Sequence, residues 1–181
     1  VDTYLRIFHA DLVALYGPRM DFATFRDALA TRLSIHRCGF EAAPIGGAVD
    51  IVLSQSVLEH VFPLDDTVAK LAAIQIARTR FLHLVDFGNH YPTASPFDGL
   101  YERPPEAYIR RRGQAINLLR APDIADSFAA HGISAVLIPA RKLADHASGT
   151  IDGWWRERYD DDALFTQLAL VASPASGDST A

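Results

Sequence analysis

Apolar positions recur at helical spacing early in the chain. In "DTYLRIFHADLVALYG", Leu5, Phe8, Leu12 and Leu15 fall three or four residues apart, and Gly17-Pro18 ends the run. In "DFATFRDALATRL", Phe22, Phe25 and Leu29 share one face, with Asp21 placed to cap the first turn. "DDTVAKLAAIQIA" predicts an amphipathic helix from about Asp66 to Ala77. Helical character returns near Pro105 to Arg112. It returns again in "APDIADSFAAHG", where Pro122 suits the first turn, Asp123 follows closely and Gly132 is the stop.

Between these helices lie short apolar runs. "VDIVLS", residues 49–54, is bounded by Gly46-Gly47 and by Ser54-Gln55-Ser56, and reads as a buried parallel strand. A second strand is expected from Arg80 to about Asp86, a third in "ISAVLIPA" and a last in "ALFTQLALVAS". Leu33-Ser34-Ile35 is a candidate for a further short strand. "EAAPIGG" reads as loop, and Phe87 to Arg103, rich in Pro, Gly, Asn and Ser, predicts a long loop of the kind that often carries function. "HASGTIDGWWRERYDDD" is irregular and polar, with Trp154-Trp155 expected to pack over the sheet edge.

This alternation predicts an α/β protein with a mostly parallel sheet. The loop joining the last two strands holds no convincing helix, so an antiparallel pair is expected at that end. The domain is expected to span residues 1–172, with 173–181 a small, polar, disordered tail. Ligands of open α/β sheets bind at the carboxyl ends of the strands. Here those ends are Ser54-Gln55-Ser56, Asp86 to Tyr91, and Cys38 to Glu41.

Composition narrows the function classes. A chain of 181 residues is long enough for one real core, and 49% hydrophobic with 22% charged residues is ordinary for a globular protein. The formal charge of -5 gives no reason to expect a nucleic-acid partner, and Arg110-Arg111-Arg112 reads as a solvated helix face. The lone cysteine, Cys38, excludes an internal disulfide and a cysteine-based zinc site, and is expected to be a small buried side chain. No apolar run approaches the ~20 residues a spanning helix needs, and the opening residues do not read as a signal peptide. No membrane association and a cytoplasmic location are the expectation.

The polar residues with chemistry cluster in "FLHLVDFGNHY", where His83, Asp86 and His90 lie close together. They suit a metal site, a proton-handling site or the polar end of a buried strand. Strand alternation turns His83 away from Asp86, which argues against these three converging on a metal, and none is expected.

"VDIVLSQSVLEHV" resembles the fourth strand and following helix of class I S-adenosylmethionine-dependent methyltransferases. The likeness continues in order through "RTRFLHLVDF", "NHY", "PF", "NLLRAPD", "AAHGI" and the closing pair "SAVLIPA" and "LFTQLALVAS". It covers about residues 46–172. A subgroup with His83 and Asp86 spaced H-x-x-D, and Asn117 to Asp123 as N-x-L-R-x-x-D, is the most similar. Its pattern is associated with glycan or lipid modification.

The resemblance implies a Rossmann-like sheet in the strand order 3-2-1-4-5-7-6, with an antiparallel last strand. It also implies S-adenosyl-L-methionine as cofactor and a small-molecule or glycan-type acceptor. The family's glycine-rich turn after its first strand has no counterpart here. Val1-Asp2 looks like the tail of the second strand, so the first strand, which sits mid-sheet beside the fourth, is expected to be lacking. A fragment of a longer protein is the expectation, with a non-catalytic module of the same fold as the alternative.

On this resemblance Asp2, Glu41, Ala42, Ser54, Gln55 and Ser56 are the cofactor-side candidates. Asp86, His90 and His60 are the candidates for proton handling, with His60 on the helix after the fourth strand beside Glu59. His83, Asn117 and Arg120 are substrate-side candidates. Arg120 suits either an anionic acceptor group or a helix-capping salt bridge.

Overall fold

The computed structural model describes residues 2–143 and 149–174. The chain divides into two compact units, Val1–Gly39 and Phe40–Ala181. The first is a pair of helices, α1 (Asp2–Tyr16) and α2 (Phe22–Arg32). Gly17, at φ 75°, takes the left-handed conformation that ends α1, and the Asp21 carboxylate accepts from Thr24 N–H at 2.8 Å to cap α2. An aromatic seam joins the two helices: the Phe8 and Phe25 rings lie 6.0 Å apart, and His9 sits 5.1 Å from Phe25. Leu33 to Ile35 form no strand. Leu33 is the extended C-cap of α2, and Leu33 and Ile35 are exposed. A β-compatible triplet without a neighbouring strand has nothing to pair with. Cys38 is exposed rather than buried.

The second unit is an α/β arrangement on a four-stranded mixed sheet. Its strands are β1 (Ile51–Gln55), β2 (Arg80–Asp86), β3 (Val136–Lys142) and β4 (Thr166–Ala172), in the spatial order β1-β2-β4-β3. β1 and β2 are parallel, whereas β4 runs antiparallel to both β2 and β3. Three strands therefore share a direction, but only one of the three pairings is parallel. Ser56 N–H still donates to Leu84 O, and Arg80 N–H to Asp50 O, which extends the β1–β2 ladder at both ends.

One face of the sheet is covered by α3 (Leu64–Ile74) and α5 (Ala121–Ala130). Val68 and Leu71 of α3 and Ile124 and Phe128 of α5 join Phe81, Val85, Ala169 and Val171 in one core. Each fully buried Leu, Val or Phe here contributes roughly 1.5–3 kcal/mol. α3 begins and ends slightly earlier than its periodicity suggests, stopping at Ile74 with Gln75 already extended. α5 starts as its sequence predicts: Pro122 lies in the first turn, and the Asp123 carboxylate accepts the Arg120 backbone N–H at 2.6 Å. Gly132, at φ 72°, follows its end.

The opposite face is largely bare. Ile51, Leu53, Leu82, Val136 and Ile138 are 61%, 67%, 42%, 39% and 49% exposed. The expectation of a buried first strand is thus corrected. β1 pairs on one side only, and its apolar residues alternate between a half-covered face and solvent.

A second core forms beyond the sheet from the long loop after β2, α4 (Pro105–Arg112), α6 (Gly153–Arg156) and α7 (Asp161–Phe165). Trp155 is fully buried at its centre, with its indole N–H donating to Arg103 O at 2.7 Å. Phe97, Leu100 and Tyr101 anchor the loop there, so the stretch rich in Pro and Gly is held in place from below. Among the described residues no helix is long and apolar enough to cross a membrane.

Candidate functional site

The carboxyl ends of β1 and β2 lie side by side because the two strands are parallel and in register from Ile51↔Arg80 to Gln55↔Leu84. β1 leaves the sheet through Ser56, at φ 50°, and passes into a single 3-10 turn, Leu58–His60. His60 therefore sits on this tight turn, ahead of the helix on which it was expected. The turn is clamped by Asn117, whose side-chain amide donates to Leu58 O at 2.7 Å and to Val61 O at 3.3 Å. Asn117 N–H also donates to Glu59 O at 2.7 Å. Asn117 thus works as a brace beneath the site.

The clamp holds Glu59 inside, only 3% exposed. Its Oε1 accepts from Asp86 N–H at 3.3 Å, while Oε2 has no hydrogen-bond partner. Burial pushes the Glu59 carboxyl above the usual carboxylate range, an effect that backbone hydrogen bonds, His60 and His90 partly offset. A buried acid beside strand-end histidines is a candidate for a functional group. Its sequence signal was an acid between apolar Leu58 and a histidine, read only as part of a family motif.

From the other strand come Asp86 and His90. His90 Nε2 stands 3.9 Å from Glu59 Oε1 and 3.9 Å from Asp86 Oδ2, with both His90 and Asp86 about one quarter exposed. Asp86 Oδ1 accepts from Gly88 N–H at 2.9 Å. Gly88 has no room for a side chain, since a Cβ would meet Asp86 Oδ1 and Pro96 Cβ at 3.0 Å each. Buried Asn89 pins the next part of the loop through Asp98 O at 2.8 Å and Thr93 Oγ1 at 3.1 Å. His90, at φ 56°, is thereby held against His60, with ring centroids 4.8 Å apart. His60 Nδ1 bonds to Ala115 O at 2.6 Å. A carbonyl can only accept, so Nδ1 is the donor of this bond, and in the neutral ring the lone pair is on Nε2.

Glu59, His60, Asp86 and His90 thus come together at one rim. Such a group can accept and pass on a proton, and Glu59, His60 and His90 each offer an atom within 4.8 Å of the others for a cation. Among the residues expected to carry chemistry, His60, Asp86 and His90 are united, with Glu59 added.

The remaining candidates of the second unit lie elsewhere. His83 is on the covered face, 2% exposed, sharing a 2.7 Å hydrogen bond with Ser54 Oγ. Burial among Phe81 and Phe128 pulls its pKa down to about 4. The Ser54 hydroxyl is consequently turned to the core, whereas Gln55 and Ser56 are exposed. Glu41 and Ala42 form a 3-10 turn (Phe40–Ala42) against α3, where Thr67 donates to the Glu41 carboxylate and holds its pKa low. Asp2 opens α1 in the first unit.

Arg120 is 1% exposed. Its guanidinium donates to Phe87 O at 2.9 Å and to Tyr101 Oη at 2.7 Å, beneath the site. The capping contact to Asp123 is made by its backbone N–H. No protein-family model, curated protein or solved structure matches the chain.

Proposed function

We propose that this chain is a methyltransferase-type domain that works with S-adenosyl-L-methionine on a small-molecule or glycan-type acceptor. The observation that carries this reading is the strand order β1-β2-β4-β3 with β4 reversed. It is the order the resemblance implies for the family's fourth, fifth, seventh and sixth strands. The cluster at the carboxyl ends of β1 and β2 supports it further, since ligands of such sheets gather there.

Methyl transfer from a sulfonium is a displacement in which positioning does most of the work, and a base matters only when the acceptor must lose a proton. In this reading His90 takes the acceptor proton, and the Glu59 and Asp86 carboxylates steady the imidazolium that results. Asn117 and Arg120 act from below by fixing the turn and the loop that carry these groups.

The cofactor side fits only in part. Of its candidates on the second unit, Gln55 and Ser56 present exposed polar groups at the strand end. The Ser54 hydroxyl and the Glu41 carboxylate are already hydrogen-bonded within the fold. Among the described residues no glycine turn stands beside Ser56 to complete a cradle. This favours a second reading, a non-catalytic binding module of the same architecture.

Amide chemical-shift mapping with S-adenosylhomocysteine tests the proposal. Saturable shifts confined to Gln55, Ser56 and Asp86 to His90 are expected. A spectrum of the folded chain that stays unchanged at millimolar ligand would leave the module reading.

A further inference from the structure

The cluster at the strand ends has an acceptor atom without a donor. Glu59 Oε2 is buried and unpaired, in a side chain only 3% exposed. Leaving such an oxygen without a donor is unfavourable, the more so for a charged group. Two imidazoles face the same carboxylate: one donor atom each from Glu59, His60 and His90 lie within 4.8 Å of one another.

The histidines are prepared for ligation. His60 Nδ1 donates to Ala115 O at 2.6 Å, so in the neutral ring Nε2 is the nitrogen that offers a lone pair. Metal-binding histidines are commonly oriented by just such a bond to a backbone carbonyl. His90 is carried by a loop that buried Asn89 locks at both ends of its side chain. Its Nε2 already stands 3.9 Å from Glu59 Oε1.

We propose that Glu59, His60 and His90 form a binding site for one first-row divalent transition-metal ion, with Zn2+ as the representative ion. Two imidazole nitrogens and one carboxylate oxygen suit Zn2+, Co2+, Mn2+ or Fe2+, whereas Ca2+ and Mg2+ prefer oxygen-only sites. With metal–ligand bonds of about 2.0–2.2 Å, tetrahedral donor atoms lie roughly 3.3–3.5 Å apart. The cluster must therefore close by about an ångström. His60 is exposed and His90 one quarter exposed, so both rings have room to turn.

Three protein ligands leave at least one position open. The open position would take water or an oxygen of a bound molecule, as in metal sites that act on ligands. Asp86 Oδ2, 3.9 Å from His90 Nε2, stands at the rim to accept a hydrogen bond from that oxygen ligand. The site requires only these side chains and does not rest on the methyltransferase reading; because the ion would occupy His90 Nε2, it replaces the role of His90 as a base rather than adding to it.

The test uses the full chain, tag-free and stripped with chelator. Co2+ is titrated with visible absorption as the readout, and Zn2+ is then added in competition. The expected result is one equivalent of Co2+ bound with the intense bands of a four- or five-coordinate ion, displaced by one equivalent of Zn2+. Glu59→Gln and His90→Ala should each weaken binding by at least about tenfold. His131→Ala, on a histidine at the end of α5, should leave it unchanged. His90→Ala removes a side chain from a surface loop, so circular dichroism should show its fold intact. Absence of saturable binding by the folded chain would overturn the proposal. So would affinity unchanged in both Glu59→Gln and His90→Ala.

Discussion

Ser54 Oγ and His83 Nδ1 share a 2.7 Å hydrogen bond across the parallel β1–β2 pair, on the face covered by α3 and α5. The bond turns a serine of the strand end inward, and it seats an imidazole between Phe81 and Phe128.

Stability should consequently fall in mild acid. Burial lowers the His83 pKa from 6.5 to about 4. Between these values the unfolded chain binds a proton that the folded one refuses, so the unfolded state gains as the pH drops. The His83 contribution is fully present above about pH 6.5 and is lost as the pH falls to about 4, for a total of roughly 3 kcal/mol. Urea unfolding at about pH 7 and about pH 4.5 measures it. His83→Leu should flatten the difference, and parallel behaviour of variant and parent would refute this assignment.

Arg120 should prove structural. Its guanidinium is 1% exposed and ties Phe87 to Tyr101, with the Phe87, Tyr101 and Trp155 rings around it. Arg120→Ala leaves those oxygens without their donor and opens a cavity, so a loss of about 3 kcal/mol is expected. A denaturant midpoint that barely moves would show that the interior rearranges freely.

Gly88 fixes Asp86. A methyl group at this position meets Asp86 Oδ1 and Pro96 Cβ at 3.0 Å. Gly88→Ala should cost about 1–2 kcal/mol and shift the Asp86 and His90 resonances, since overpacking forces neighbours to move. Unchanged stability with unchanged spectra would mean the loop yields easily.

The bare face of the sheet should govern association. Leu53 and Ile138 are 67% and 49% exposed on it. Leu53→Lys with Ile138→Lys should suppress concentration-dependent light scattering, while stability changes by no more than about 1 kcal/mol. Greater scattering, or a large destabilisation, would show that these residues pack on something in the folded chain.

Much of the fold was legible because local signals agreed with one another. β2 runs from Arg80 to Asp86 as its apolar run implies, and Asp21, Pro122 and Asp123 mark helix starts by capping chemistry that needs no tertiary partner. What failed depended on neighbours. Leu33 to Ile35 lacked a strand to pair with, Cys38 had no core to enter, and Val49 to Ser54 read as buried although β1 holds the edge. In the site, Asp86 and His90 were visible from their place at a strand end. Glu59 was not singled out, because its burial depends on Asn117, more than fifty positions away, bracing the turn. The inward commitments of Ser54 and Arg120 are likewise set by residues distant in sequence.

The most direct test of the functional reading is calorimetric titration of S-adenosylhomocysteine into the full chain. One-site binding in the micromolar range is expected, weakened several-fold by Gln55→Ala. A folded chain that takes up no ligand would contradict it.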